Sequence, residues 1–256
     1  MASEPQGLPL FYNNLEPLSS EAHAKFKLRP ANGAKFLINQ HAIPLTVDEF
    51  SLAQRNFPIV FSQGDDAVPL ALMGLNEGVN VFIDENGQLR DPYTYVPAYI
   101  RRYPFMLARL SPDAEELTLC FDPTGDSVGA FKDGEPLFDK GEATEMTKGI
   151  LTFNEEFEQA GARTANFMNE LKEMDLLMDG EVTIQPEGSD KPFVYQGFRM
   201  VNEEKLREMR GDQLRKVSQS GLLPLLYAHL FSLSLTRDVF TRQVQLGLMP
   251  APQLVS

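Results

Sequence analysis

The chain has no tryptophan, a single cysteine and only three histidines, and its 23 basic residues are outnumbered by 36 acidic ones. Each shortage excludes something. A lone Cys120 cannot form an intramolecular disulfide, so the fold is held by packing and not by covalent staples. A formal net charge of −13 opposes phosphate backbones, because nucleic-acid binding relies on Lys and Arg displacing counterions; DNA and RNA are not expected partners. A helix needs about 20 predominantly apolar residues to span a bilayer. The most apolar run, GLLPLLYAHLFSLSL (221–235), is shorter and contains Pro224, His229, Ser232 and Ser234, so it reads as a buried helix and no integral membrane segment is expected. The start, MASEPQGLPLFYNN, has no basic stretch followed by an apolar core. A cleaved secretory signal is therefore not expected, and the cytoplasm is the expected location, with signal-independent export left open.

The usual local motifs of catalysis are missing as well. His23, His41 and His229 form no HxD, HxE or HExxH pattern, so no metal site of the local kind is expected, since such sites place two ligands at fixed spacing on one element. There is no GxxxxGK[ST] loop to cradle a nucleotide phosphate and no GxSxG to raise a serine above a sheet. The acidic turn that begins at Asp84 departs from a calcium loop, with Leu89 at the sixth position in place of Gly and Tyr95 at the twelfth in place of Glu. Cys120 lies in the apolar run LTLCF, a setting for an inert thiol. No cofactor is expected.

What is present is an ordinary folding composition: 43% of the 256 residues are hydrophobic, 18 of them Phe, enough to build a large core. Residues 1–32, with Pro5, Pro9, Pro17 and Pro30 among polar residues, read as an extended arm whose Leu10, Phe11 and Tyr12 dock on the rest. Residues 33–256 read as a single domain, strand-rich over 33–125 and mainly helical over 143–256, with a strand pair near 181–201. Short apolar runs between turn signals predict strands at AKFLI, FPIVFS, VPLALMGL, NVFIDENGQL, FMLARL and LTLCFD, the Asn86-Gly87 pair making a tight turn. Thr46 and Glu49 have capping-box spacing at the start of TVDEFSLAQRN, and PYTYVPAYIRRY predicts a second helix that Pro104 ends.

Further on, Met146, Ile150, Phe153, Phe157, Ala160, Thr164, Phe167, Leu171 and Met174 recur at steps of three and four, which predicts one long helix with an apolar stripe. The stripe suits packing within the chain and also a homodimer. EVTIQP and FVYQGFRMV read as paired strands around a loop containing Gly188 and Pro192; Asn202 caps the helix that follows, and Gly211 and Gly221 divide the remainder into helices. The fold class is α+β, a strand-rich N-terminal half with a long helix and a helical C-terminal segment packed on it.

Two clusters carry chemistry. In YVPAYIRRYPF (95–105), Arg101 and Arg102 stand among aromatic rings that include Tyr99 and Tyr103. Guanidinium groups beside aromatics suit a carboxylate, a phosphate or a peptide, though an arginine paired with a local acid, with the rings in the core, would leave the same pattern. In LYAHLFSL, His229 sits in the apolar helix near Tyr227, with Ser232 three residues on and on the same face. A buried histidine satisfied by an acceptor and a histidine that contacts a ligand both remain open there.

The segments FPIVF, ALMGLNEGVNVFIDENGQL, YVPAYIRRYPF, EELTLCFD, GEPLFDKGE, GFRMVNEEKL and SGLLPLLYAHLFSL, in this order, resemble the bacterial SapC family that takes its name from a surface-layer locus. The peptide-transporter permeases of the same name are not similar, because they are built on membrane helices. The resemblance covers nearly the whole chain and makes 33–256 a SapC-like domain. It implies association with surface-layer export or with outer-membrane receptor and tryptophan-halogenase-like gene neighbourhoods, and it supplies no reaction. The reading that follows is a soluble, non-catalytic binding or accessory protein for a protein, peptide or small acidic ligand. Two alternatives stand beside it: an enzyme without a recognised motif, acting on amino acids or peptides through His229 or the arginines, and a structural surface-layer component.

Overall fold

The structure is a computed structural model that describes residues 8–111, 113, 116–185 and 192–248. The chain forms two compact units, one from Met1–Gly33 and Tyr99–Gln159, the other from Ala34–Ala98 and Ala160–Ser256. Strands dominate the early chain and helices the late chain, so the class is α+β.

The first unit contains a three-stranded antiparallel sheet in the order Glu16–Pro17, Thr118–Phe121, Phe105–Ala108, with Phe105 opposite Phe121 and Met106 opposite Cys120. A second small sheet places Lys27–Leu28 between Val128–Gly129 and Glu135–Pro136. Phe105, Phe121, Val128 and Leu137 form the core, with Phe26, Met146 and Ile150 packed against it. The early residues thus add strands to this unit, and Phe11 and Tyr12 dock by their rings: Phe11 lies edge-on to Tyr99 at 5.5 Å and Tyr12 to Tyr103 at 5.3 Å.

The second unit is built on a five-stranded antiparallel sheet in the order Leu177–Ile184, Phe193–Val201, Ile59–Phe61, Pro69–Leu72, Ala42–Pro44. Ile59–Phe61, buried along its length, reads as the continuous apolar run that a strand covered on both faces requires. Prolines obey the ladder's need for N–H donors: Pro17, Pro44 and Pro136 lie on edge strands, and Pro69 is the first residue of its strand. The hairpin Leu177–Ile184/Phe193–Val201 has a bulge between Gly180 and Val182; Gly188 of its expected loop lies outside the described residues. Helices Gly211–Gln219, Leu222–Ser232 and Thr236–Gln245 follow, and Gly221 breaks the first two at φ +81°, a left-handed conformation that costs glycine nothing.

One helix, Glu145–Glu173, runs for 29 residues as its stripe predicts; residues to Gln159 belong to the first unit and from Ala160 to the second. Three expectations change. NVFIDENGQL forms no strand, only the isolated bridge between Ile83 and Leu89, because its tight turn leaves just one residue pair in register. AKFLI is a 3₁₀ turn, Lys35–Leu37, and not a strand, because Ala34 donates its amide to the Gly87 carbonyl at 2.7 Å and the chain turns there. PYTYVPAYIRRY yields only the single turn Ala98–Arg101, because Asp91 holds residues 91–94 in a turn through the amides of Tyr93 and Thr94. Among the described residues, no helix is long and apolar enough to cross a membrane.

Candidate functional site

The single turn Ala98–Arg101 has prolines on either side, Pro97 and Pro104, and it sends neighbouring side chains in different directions. Arg101 is exposed, with its guanidinium 5.2 Å from the Phe153 ring. Arg102 is 6% exposed, and its guanidinium lies against two rings that themselves meet edge-on, 4.5 Å from the centre of Tyr99 and 4.3 Å from that of Phe157, with Tyr12 at 5.9 Å. Such stacking offsets part of the cost of burying a cation, by about 2 kcal/mol where solvent is excluded.

The Tyr99 side chain adds a hydrogen bond to Arg102, and the ion pair is loose. Arg102 Nη1 approaches Glu158 Oε1 at 3.6 Å, an ion-pair distance too long for a hydrogen bond. Burial pushes the Glu158 carboxyl above its usual range, with Arg102 opposing that shift. Arg102 Nε is buried without a hydrogen-bond partner among the described residues. Burial likewise raises the Tyr99, Tyr12 and Tyr103 hydroxyls, that of Tyr103 to about 12, so all three are neutral donors at physiological pH. Two of those protons are committed to backbone: Tyr12 Oη donates to the Phe105 carbonyl at 2.8 Å and Tyr99 Oη to that of Leu10 at 3.3 Å.

A pocket of about 690 Å³ opens beside this cluster, within the range of small-molecule sites. Three arginines line it, Arg29, Arg101 and Arg102, against one carboxylate, Glu135, an inversion of the sign of the whole chain. Arg29 comes from the early strand region, where its Nε donates to the Asp126 carbonyl at 2.9 Å and its guanidinium lies 3.9 Å from the Phe131 ring. Phe105, Met146, Ile150 and Phe153 supply an apolar wall. Asn154, 1% exposed, also lines the pocket; its Nδ2 donates to the Ile150 carbonyl at 2.9 Å, which leaves Oδ1 facing no donor among the described residues. The arrangement can hold an anion by charge and a planar or apolar group by stacking.

Four of the expected residues, Tyr99, Arg101, Arg102 and Tyr103, fall in this first unit, and Tyr227 and His229 fall in the second. His229 is fully buried. Its Nδ1 donates to the Ile59 carbonyl at 2.8 Å, its Nε2 accepts the Val201 amide at 3.0 Å, and its ring stacks on Phe61 at 4.7 Å. Both nitrogens thus join the helix Leu222–Ser232 to two strands, and burial lowers its pKa to about 4. Ser232 accepts the Ile59 amide at 2.8 Å. Tyr227 is partly exposed and leans on Phe231 at 5.5 Å. Cys120 is buried, which raises its thiol and disfavours a thiolate. Among the described residues, no group of three or more His, Cys, Asp or Glu could hold a metal ion.

Sequence reasoning missed Arg29, Asn154 and Glu158. Asn154 carried a legible signal: it lies four residues after Ile150 and three before Phe157, inside the apolar stripe, where a polar residue needs a reason. Arg29 and Glu158 carried none.

In comparison with known proteins, the SapC family model matches residues 18–239, which extend through both units. No curated protein and no solved structure matches the chain.

Proposed function

We propose that this chain, which belongs to the SapC family, is a non-catalytic binding protein that holds an acidic ligand, whether a protein, a peptide or a small molecule, in its arginine-lined pocket. Its biological setting in this reading is surface-protein transport or outer-membrane nutrient uptake, as the resemblance implies. One observation carries the proposal: Arg29, Arg101 and Arg102 line one pocket with a single carboxylate, Glu135, in a chain of net charge −13, and the carboxylate nearest Arg102 stands beyond hydrogen-bond distance. An anion in the pocket would gain charge-assisted contacts from these guanidinium groups. Arg29 and Arg101 add charge where such an anion would sit.

Calorimetric titration with acetate, inorganic phosphate and short peptides that carry a carboxylate tests the reading. At least one acidic probe is expected to bind, and Arg101→Gln, on an exposed residue whose loss leaves the core intact, is expected to weaken it by roughly tenfold, the worth of one charge-assisted hydrogen bond. Arg102→Gln should weaken it further. Failure of every acidic probe, or equal affinity in both folded variants, would overturn the proposal.

A further inference from the structure

We infer that the pocket holds a small amphipathic acid, an anionic head on an apolar body, with the head at the arginines and the body against an apolar floor. The inference rests on the binding reading above and deepens it by naming the chemical class of the ligand. Burial is graded around the pocket. Arg101 is exposed and Arg29 half-buried, whereas Phe105 is 3% exposed and belongs to the core of its unit. Leu28, Met146 and Ile150 are half-buried; they pack against that core and line the pocket as well. The floor is therefore an open side of the hydrophobic core, and the cationic groups of Arg29 and Arg101 stand nearer to water.

A bare anion would use only the charged part of such a pocket. Met146, Ile150 and Phe153 follow one another at steps of four and three, so they share one face of the long helix and make a continuous apolar wall. An apolar body laid on that wall removes its surface from water, and each methylene fully buried there tightens binding by up to about fourfold. The arginines set the sign of the head. Arg29 stacks on Phe131 at 3.9 Å; stacking uses the face of a guanidinium, while its N–H donors lie in the plane, where an oxyanion is bound.

The backbone around the pocket favours a small molecule over a peptide. An extended peptide is commonly captured by adding a strand to an open sheet edge. Lys27–Leu28, whose end lines the pocket, is already paired on both sides, with Val128–Gly129 and with Glu135–Pro136. Phe105 stands on an edge strand, but its carbonyl accepts the Tyr12 hydroxyl at 2.8 Å and its amide donates to the Arg102 carbonyl at 2.7 Å. What the pocket offers is charge, apolar surface and a volume of about 690 Å³, which suit a small acid.

The experiment is a calorimetric titration of the full chain with acetate, butyrate, hexanoate and octanoate, with inorganic phosphate, with 1-octanol, and with the peptide N-acetyl-Gly-Gly-Leu. Binding is expected to tighten along the carboxylate series, octanoate exceeding butyrate by about tenfold or more. Octanol, which lacks the charge, is expected to bind roughly tenfold weaker than octanoate. Arg101→Gln, at an exposed position, should bring octanoate towards octanol while the gain per methylene persists. Phe153→Ala, at a half-buried helix position where alanine keeps the helix, should instead flatten the series. If acetate or phosphate binds in an arginine-dependent way as tightly as octanoate, or the peptide binds more tightly than octanoate, the amphipathic-acid assignment is overturned and the acidic-ligand reading stands. Octanol binding as tight as that of octanoate, octanoate binding unchanged by Arg101→Gln, or a series unchanged by Phe153→Ala would also overturn the assignment. If no acidic probe binds, both fall.

Discussion

His229 donates its Nδ1 proton to the carbonyl of Ile59 at 2.8 Å, while three residues along the same helix Ser232 accepts the Ile59 amide at 2.8 Å. The helix thus holds both polar groups of one strand residue. Both groups are thereby satisfied inside the core, and the neutral imidazole is the form the geometry requires.

A pH dependence of stability follows. The folded pKa of His229, about 4, lies below its ordinary value of 6.5, so between these values the unfolded chain takes up a proton that the folded chain refuses. Stability from this residue is complete above about pH 6.5, falls by about 1.4 kcal/mol per pH unit as the pH drops towards 4, and then levels off. Urea unfolding at pH 7 and at pH 5 checks it. His229→Gln should lower stability at pH 7 by roughly 2–3 kcal/mol through unsatisfied backbone groups, and should make the acid-side slope shallower than in the parent chain. An unchanged slope would remove His229 as its source.

Glycines in the same chain should respond with opposite signs. At Gly149 and Gly161, both within the long helix, an added Cβ meets nothing within 4 Å, so alanine at either position is expected to stabilise by about 1 kcal/mol. Their positions are far enough apart for the effects to add. At Gly180, by contrast, a Cβ would stand 2.1 Å from the Phe198 ring across the hairpin, and Gly180→Ala should destabilise by about 1–3 kcal/mol. Thermal unfolding of the three variants reads all three signs.

Arg102 should be worth more to binding than to folding. Replacing a buried, incompletely paired charge by an apolar side chain of similar length is often neutral or stabilising, so Arg102→Met is expected to unfold at or above the parent temperature while losing the ligand. Arg102→Ala, which leaves a gap beside Tyr99 and Phe157, should instead lose about 2–4 kcal/mol. Glu158→Gln should cost less than about 1 kcal/mol, because Glu158 is 43% exposed and solvent screens its charge. A strongly destabilised Arg102→Met would show that the guanidinium serves the core.

Local chemistry made several elements legible. Gly87 takes φ +80°, and the Asp84 amide reaches the Gln88 carbonyl across it, as the Asn86-Gly87 pair predicts, though only Ile83 and Leu89 then form a bridge. Thr46 donates its amide to Glu49 Oε2 at 2.9 Å, and Asn202 Oδ1 accepts the Lys205 amide at 3.0 Å. The stripe from Met146 to Leu171 became one helix for the same reason: its partners are three and four residues apart.

What the sequence by itself determined is therefore the α+β class, the caps, the turns, the long helix, the family and the sign of the charge, since each depends on composition or on neighbours within about one turn. Only the tertiary structure decided that Arg102 is buried while Arg101 is exposed, that Arg29 and Asn154 share a pocket with them, and that His229 serves Ile59 and Val201. Those contacts join residues 28 to 170 positions apart in the case of His229, and the pocket wall reaches from Leu28 to Asn154. No local periodicity encodes such distances; the path of the backbone must be complete before two side chains so far apart can meet.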